Sequence, residues 1–166
     1  MEKTIIDFSS ADEMGKWEII NDAVMGGISS SRISAGENNA ALFEGDVSLE
    51  NYGGFTSMRT QIRDFDLAGS IGLLIRVKGD SKNYRLRFRT GDEYEGIAYQ
   101  AHFSTESNQW ITARLPFDGF QPVFRGMIVK DAPPLNISAV RRVGFMIADK
   151  QEGPFRLEIG WVKAYS

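Results

Sequence analysis

The sequence has no cysteine and only one histidine, His102. The lack of cysteine excludes disulfide bonds, thiolate zinc sites, iron–sulfur clusters and a cysteine nucleophile. A single histidine also excludes the metal motifs that need two histidines. We therefore predict no cofactor and no transition-metal centre, and His102 has no evident partner for work as a general base.

The chain also lacks an excess of positive charge and any long apolar run. Its 166 residues contain 19 Lys and Arg against 22 Asp and Glu, a formal net charge of −3. Without a global positive field we expect no nucleic-acid partner. The longest apolar stretches, such as residues 71–75, are too short to span a bilayer. The first residues resemble neither a secretory signal nor a mitochondrial presequence, so we predict a cytoplasmic location, with removal of a targeting peptide as the alternative.

Helical periodicity is nearly absent, apart from one short turn near residues 10–17. Hydrophobic residues make up 42% of the chain and charged residues 25%, and no composition break divides it, which predicts one globular domain over residues 1–166. Period-two alternation with turn residues between the segments predicts an all-β fold, an antiparallel sandwich or barrel. The predicted strands are Thr4–Phe8, Trp17–Asn21, Ser29–Ser34, Ala40–Leu49, Phe55–Arg63, Ile71–Lys78, Asn83–Thr90, Ile97–Ser104, Gln109–Leu115, Ala139–Ala148 and Phe155–Tyr165.

Alternation also separates buried from exposed side chains. In the strand at residues 83–90, Tyr84, Leu86 and Phe88 point to one side and three arginines point to the other. The turn signal at residues 79–82 predicts that this strand forms a hairpin with the preceding one. The outer face of that hairpin would carry an arginine stripe, which consists of Arg76, Arg85, Arg87 and Arg89.

The arginine stripe has two interpretations. Like charges that face each other across strands repel by a few tenths of a kcal/mol. Either neighbouring carboxylates pair with the arginines, or the stripe is a patch for an anionic partner such as an acidic protein surface, a phosphate or a sugar acid.

A proline-rich and aromatic segment at residues 115–126 is unsuited to a central strand. We interpret it as a long crossover that packs Phe117, Phe120 and Phe124 over the end of the sandwich. The irregular residues 131–134 that follow are predicted to face a partner.

Two glycine-centred segments, residues 21–27 and 51–55, are the most distinctive feature of the chain. Paired glycines suit sharp turns, and we expect at least one of the four at positive φ. Large apolar residues beside these turns leave a second interpretation open, the edge of a recognition site. We also predict that Asn21, Asp22 and Arg59 meet in one polar cluster with an Asp–Arg ion pair. The candidate binding residues in and near both segments are Asn21, Asp22, Met25, Gly26, Gly27, Gly53, Gly54, Phe55 and Arg59.

These motifs, read in order, resemble the family of complex I intermediate-associated protein 30. The resemblance is carried by Trp17 with Asn21–Ser29, by residues 43–48 with Gly53–Arg59, and by Gly79-Asp80 before Tyr84. It continues with Trp110 before residues 115–117, residues 120–122 before Arg125-Gly126, Gly144-Phe145 and residues 153–159.

The resemblance implies a jelly roll of the galactose-binding-like type. It also implies a non-catalytic assembly or scaffold role with a protein partner in a larger complex, for example a respiratory or other membrane-associated one. The alternative is a carbohydrate-binding module, for which Tyr52 and Tyr94 would be sugar-stacking residues. Two weaker alternatives are an enzyme that uses paired carboxylates and a calcium site near Asp22, Asp46 or Asp80.

Overall fold

The computed structural model describes residues 1–22, 26–90 and 96–166, and of Tyr52 the backbone only. In these ranges the helices are short 3-10 turns, among them Met14–Lys16, where the sequence predicted a turn. The strands are β1 (Glu2–Asp7), β2 (Trp17–Asn21), β3 (Ser30–Ala35), β4 (Ala41–Val47), β5 (Thr56–Thr60), β6 (Gly72–Lys78), β7 (Asn83–Thr90), β8 (Ala98–Ser104), β9 (Trp110–Pro116), β10 (Gln121–Phe124), β11 (Met127–Ile128), β12 (Val140–Ile147) and β13 (Gly153–Tyr165).

The strands form two antiparallel sheets that face each other. The six-stranded sheet has the order β3-β4-β13-β6-β9, with β1 also paired to β13. The seven-stranded sheet has the order β11-β10-β8-β7-β12-β5-β2. The predicted all-β antiparallel sandwich is therefore confirmed.

The core lies between the sheets, and in strands such as β6 and β7 it is built from alternate residues. Leu73, Ile75 and Val77 of β6 are fully buried, and so are the three side chains that the sequence placed on the inner side of β7. Full burial of such a side chain contributes about 1.5–3 kcal/mol. The inner faces of both strands were thus correctly predicted by the alternation.

The predicted hairpin between β6 and β7 is wrong. Strand β6 pairs with β9 and β13, whereas β7 pairs with β8 and β12 in the other sheet. Residues 79–82 cross from one sheet to the other, and there Asp80 accepts hydrogen bonds from the Tyr84 hydroxyl at 2.9 Å and the Arg156 amide at 2.8 Å. Both strands have one apolar side because both cover the same core, and that pattern is the same for a hairpin and for a crossover.

The crossover predicted after β9 contains two short strands, β10 and β11, at the edge of the seven-stranded sheet. Pro122 lies in β10, next to the outermost strand β11 and just before the residues that pair with it, and this peripheral position agrees with its unsuitability for a central strand. Phe120 is buried and stacks on Phe88 at 4.9 Å between ring centroids, and Phe117 packs against both. Phe124, by contrast, is 39% exposed.

Candidate binding site

Three arginines of the predicted stripe lie on the outer face of β7. Arg85, Arg87 and Arg89 alternate with the core residues of this strand, so their side chains point away from the other sheet. Arg76 is not with them. It lies on β6, where it donates to Thr112 Oγ1 and stacks over the Trp110 ring. Because β6 belongs to the opposite sheet, Arg76 is on the other side of the sandwich, and the four-residue stripe is corrected to three.

Two further arginines join this face from neighbouring strands. In the ladder between β12 and β7, Arg142 stands directly opposite Arg89, and Gly144 stands opposite Arg87. In the ladder between β12 and β5, the same Gly144 stands opposite Arg59. Gly144 is therefore a position without a side chain between two arginines.

These residues surround a depression of about 280 Å³, which we call the arginine depression. Its cationic part is lined by Arg59, Arg87, Arg89 and Arg142. Its apolar part is lined by Ile20, Phe55 and Met146. Arg85 lies beside the depression, opposite Met146 in the ladder.

The cations of this face repel one another. Burial first, and then the charges of Arg89, Arg85 and Arg59, lower the pKa of Arg87 to about 10. Burial, Arg59 and Arg142 also lower the pKa of Arg89. For both side chains burial is the larger cause and the neighbouring like charges add to it, so the protonated form is disfavoured.

Two carboxylates contact the arginines of this face in the described part of the chain. Glu18 Oε1 accepts from Arg59 Nε at 3.0 Å and from Arg142 Nη1 at 3.2 Å. Asp149 pairs with Arg85. Among the described residues Arg87 makes no hydrogen bond or ion pair, and its Nε is buried without an acceptor. Arg89 Nη1 donates to the Gly96 carbonyl at 2.8 Å.

The two glycine segments converge on one buried side chain, Asp22. Its carboxylate accepts hydrogen bonds from the Ser29 amide at 3.0 Å and the Ser29 hydroxyl at 2.5 Å. It also accepts from the Gly54 amide at 2.7 Å and the Phe55 amide at 3.3 Å. Although burial opposes ionisation, these donors together hold the pKa of Asp22 below its usual value of 3.8. Asp22 thus ties the two corners together.

The close approach to Asp22 explains two of the glycines. A Cβ at Gly27 would overlap the Asp22 carboxyl group, and a Cβ at Gly53 would lie 2.5 Å from Asp22 Oδ2. Gly26 and Gly54 have positive φ values of 88° and 129°. The prediction that at least one of the four glycines has positive φ is confirmed.

The predicted ion pair between Asp22 and Arg59 is wrong. Along the ladder of β2 and β5, Arg59 is opposite Glu18, three residues from the Asn21–Thr56 pair. At about 3.4 Å per residue, this places Arg59 about 10 Å from the Asp22 corner. Asn21 Oδ1 instead accepts from the Ser31 hydroxyl at 2.9 Å. The polar cluster divides into a corner around Asp22 and a pair between Arg59 and Glu18.

Some candidates fall outside the described residues. Met25 and Tyr94 are among them, and the side chain of Tyr52 is as well. Sequence reasoning missed Arg142, because the pairing of β12 with β7 is irregular between Val140 and Arg142 and the alternation of β12 is interrupted there. The sequence Arg141-Arg142 gives no signal as to which arginine faces outward.

Within residues 1–22, 26–90 and 96–166, no group of three or more His, Asp or Glu side chains is arranged to hold a metal ion. In the same ranges no helix has the length and apolar character needed to cross a membrane. Asp22 and Asp80, which the sequence offered as calcium ligands, accept hydrogen bonds from the protein itself.

Comparison with known proteins identifies relatives in sequence and in fold. The family model of complex I intermediate-associated protein 30 matches residues 6–159. The mitochondrial protein of that name from Mus musculus is 24% identical over 99% of this chain and 56% of its own length. A probable mitochondrial counterpart from Caenorhabditis elegans is 22% identical over 96% of this chain and 53% of its own length. The chain thus spans about half the length of these two relatives.

Solved structures of carbohydrate-binding modules share the fold. The family 11 module of the cellulase Lic26A-Cel5E from Clostridium thermocellum superposes with a TM-score of 0.76 at 16% identity, covering 100% of this chain and 95% of the module. A family 11 module from Clostridium thermocellum, solved in complex with a β-1,3-1,4-mixed-linked tetrasaccharide, superposes with a TM-score of 0.76 at 16% identity. The superposition covers 99% of this chain and 95% of the module. The likeness confirms the galactose-binding-like jelly roll.

Proposed function

Because the chain belongs to the complex I intermediate-associated protein 30 family, we propose that it is a non-catalytic binding domain that acts as an assembly or scaffold factor for a larger protein complex. The names of its mouse and nematode relatives, which associate those proteins with an intermediate of complex I, support a respiratory complex as the target. The cytoplasmic location stays a prediction, and both relatives are named as mitochondrial.

The observation that carries the proposal is the concentration of cations on one face of an acidic chain. The chain has a net charge of −3, yet Arg59, Arg85, Arg87, Arg89 and Arg142 share the outer face of the seven-stranded sheet. Among the described residues, Glu18 and Asp149 are the carboxylates that contact them. A cationic surface attracts an anionic partner surface and fixes its orientation.

The composition of the depression supports a binding role over acid–base catalysis. Its described lining consists of arginine, serine, glycine and apolar residues, without a carboxylate. A glycosidase would need two carboxylates across such a cleft. The glycine corners support the surface from one end, since Phe55 both lines the depression and donates its amide to Asp22.

Sugar binding is the second candidate function, favoured by the fold that the chain shares with family 11 modules. A shared fold hosts many functions, so this support is weaker than that from the family and the arginines. Sugar binding is tested by calorimetric titration of the protein with the mixed-linked tetrasaccharide. Saturable heat would favour the sugar.

A capture experiment tests the protein-partner proposal. Tagged wild-type protein and the double variant Arg87→Gln/Arg89→Gln are expressed in the native host, and co-purifying proteins are quantified by mass spectrometry. We expect the wild type to enrich subunits of one multi-subunit complex and the double variant to lose most of that enrichment. Recovery should also fall as salt is raised, because exposed charges are screened beyond about 8 Å at physiological ionic strength.

The matched control is Arg76→Gln, the same substitution on the opposite sheet. It should capture the complex as the wild type does. Equal recovery with the double variant, or an equal loss with Arg76→Gln, would contradict the assignment of the partner surface to the arginine face.

A further inference from the structure

We infer that the arginine depression is a socket for an extended segment of the protein partner that carries an acidic side chain and, two residues further on, an apolar side chain. This inference rests on the proposed function and specifies the ligand of the same surface.

The acidic half of the ligand is indicated by the row of residues across β5, β12 and β7. Arg59 and Arg87 stand on either side of Gly144, which has no side chain, and all three line the space of the depression. A carboxylate in that space would accept from planar guanidinium groups, the geometry in which arginine binds carboxylates most strongly. Arg87 supplies unused donors, since it has no hydrogen bond or ion pair among the described residues.

Repulsion between the cations favours the binding of an anion among them. Burial, and then the neighbouring like charges, lower the pKa values of Arg87 and Arg89, which stand beside Arg59 and Arg142 on this face. An anion placed among them relieves that repulsion and is itself less screened than at an open surface.

The apolar half of the ligand is indicated by the next row along the same strands. Ile20, Ser57 and Met146 are aligned across β2, β5 and β12, two residues from the row that contains Gly144. Phe55 adds a half-buried ring to this end of the depression. Two residues of a strand span about 7 Å, and in an extended peptide the side chains at i and i+2 lie on the same side at the same spacing.

The apolar end is also fixed in place before any ligand binds. The Phe55 amide donates to the Asp22 carboxylate, and the Asp22 amide donates to the Phe55 carbonyl at 3.3 Å. A socket whose backbone is already ordered loses less entropy when the partner binds. A free phosphate or a sugar acid would use the arginines and leave Ile20, Phe55 and Met146 without a contact, so the peptide segment fits the whole depression better.

The test is a titration of the isotope-labelled protein with short peptides, in which binding is measured from the NMR shifts of the protein amides. The probe is the acetylated and amidated pentapeptide Gly-Glu-Ser-Leu-Gly. Its controls replace Glu by Gln, replace Leu by Ala, or exchange Ser and Leu so that the composition stays and the spacing changes. Inorganic phosphate, glucuronate and the mixed-linked tetrasaccharide are the other arms.

We expect the probe to shift amides at residues 55–59, 87–89 and 142–146. The Gln peptide should bind about tenfold more weakly, because a charge-assisted pair is lost. The Ala peptide and the exchanged peptide should bind about threefold to tenfold more weakly, because apolar burial is lost. Arg87→Gln should remove the difference between the Glu and Gln peptides, Met146→Gln should remove that between the Leu and Ala peptides, and Arg76→Gln should change neither.

Several results would overturn the inference. They are equal binding by the exchanged peptide, equal shifts with phosphate or glucuronate, preference for the tetrasaccharide, or no shift with the probe. If the capture experiment still depends on Arg87 and Arg89 while the probe does not bind, the socket is wrong and the proposed function stands. If the probe binds as expected and capture is unaffected by the arginines, the proposed partner surface is wrong.

Discussion

The glycine corners and the arginine depression both hold charged side chains away from water, but they differ in what surrounds the charge. At the corners, the Asp22 carboxylate is fully buried and receives four hydrogen bonds from Ser29, Gly54 and Phe55. In the depression, Arg87 lies among other arginines and has no hydrogen bond among the described residues.

This difference separates a structural site from a binding site. A buried charge whose hydrogen bonds are complete stabilises the fold and has no capacity left for a ligand. A cation held among like charges weakens the fold slightly, and Arg87 keeps donors available because it has no hydrogen bond among the described residues. The pKa of Asp22 is lowered because its charged form is stabilised, whereas the pKa of Arg87 is lowered because its charged form is disfavoured.

The largest expected effect is that of Asp22→Asn. The amide keeps the shape but presents N–H groups to the donors of Ser29 and Gly54, so buried donors lose their acceptor. We expect a loss of about 3 kcal/mol or more in the free energy of unfolding, measured by urea denaturation. The control is Asp149→Asn, where the paired carboxylate is 39% exposed and the loss should stay below about 1 kcal/mol. Similar losses in both variants would break the distinction between the two regions.

The glycines of the first corner provide the next comparison. Gly27→Ala places a methyl group against the Asp22 carboxyl group and should cost about 2 kcal/mol. Gly26→Ala meets no atom of the described residues within 4 Å and strains a φ of 88°, so it should cost about 1 kcal/mol. Denaturation curves of the two variants check the order. A larger loss for Gly26→Ala would mean that backbone strain, and not the contact with Asp22, explains the paired glycines.

Acid should weaken the corner in a defined range. Because the pKa of Asp22 is lowered on folding, its stabilising effect is complete above the unfolded value of 3.8 and is lost as the pH falls through the folded value. The gap in stability between the wild type and Asp22→Asn should therefore be constant near neutrality and shrink below about pH 3.8. Unfolding free energies measured from pH 7 to pH 3 test this, and a gap that narrows already near pH 6 would assign the effect to another group.

The sequence predicted the faces of the strands better than their pairing. Tyr84, Leu86 and Phe88 were placed correctly because alternation is a property of each strand alone. The pairing of β6 with β7 was wrong because a crossover between sheets gives the same alternation as a hairpin.

The candidate site was predicted in part for a similar reason. The arginines of β7 occupy every second position of one strand, so the sequence alone places them on one face. Arg142 and Gly144 become their neighbours only through the pairing of β12 with β7. Asp22 finds its donors at Ser29, Gly54 and Phe55, up to 33 residues away, and no local pattern specifies that contact. The paired glycines marked the place where it occurs without revealing its centre.

The smallest expected effect compares two neighbours on β7 and sharpens the contrast within the arginine face itself. Arg87→Gln removes a cation that Arg89, Arg85 and Arg59 repel, so stability should stay equal or rise by less than about 1 kcal/mol. Arg85→Gln removes the ion pair with Asp149 and should lower stability by less than about 1 kcal/mol.

Salt should confirm the opposite signs of these two effects. Added sodium chloride screens repulsion, so it should stabilise the wild type more than Arg87→Gln. At neutral pH this repulsion is fully present, because the lowered pKa of Arg87, about 10, still leaves the side chain charged. Urea denaturation of the wild type, Arg87→Gln and Arg85→Gln at low and high salt measures the repulsion at Arg87 and the ion pair at Arg85. If Arg87→Gln instead lowers the free energy of unfolding more than Arg85→Gln does, Arg87 is a structural residue, as Asp22 is. Arg87 would then not support a partner-binding role for the arginine depression.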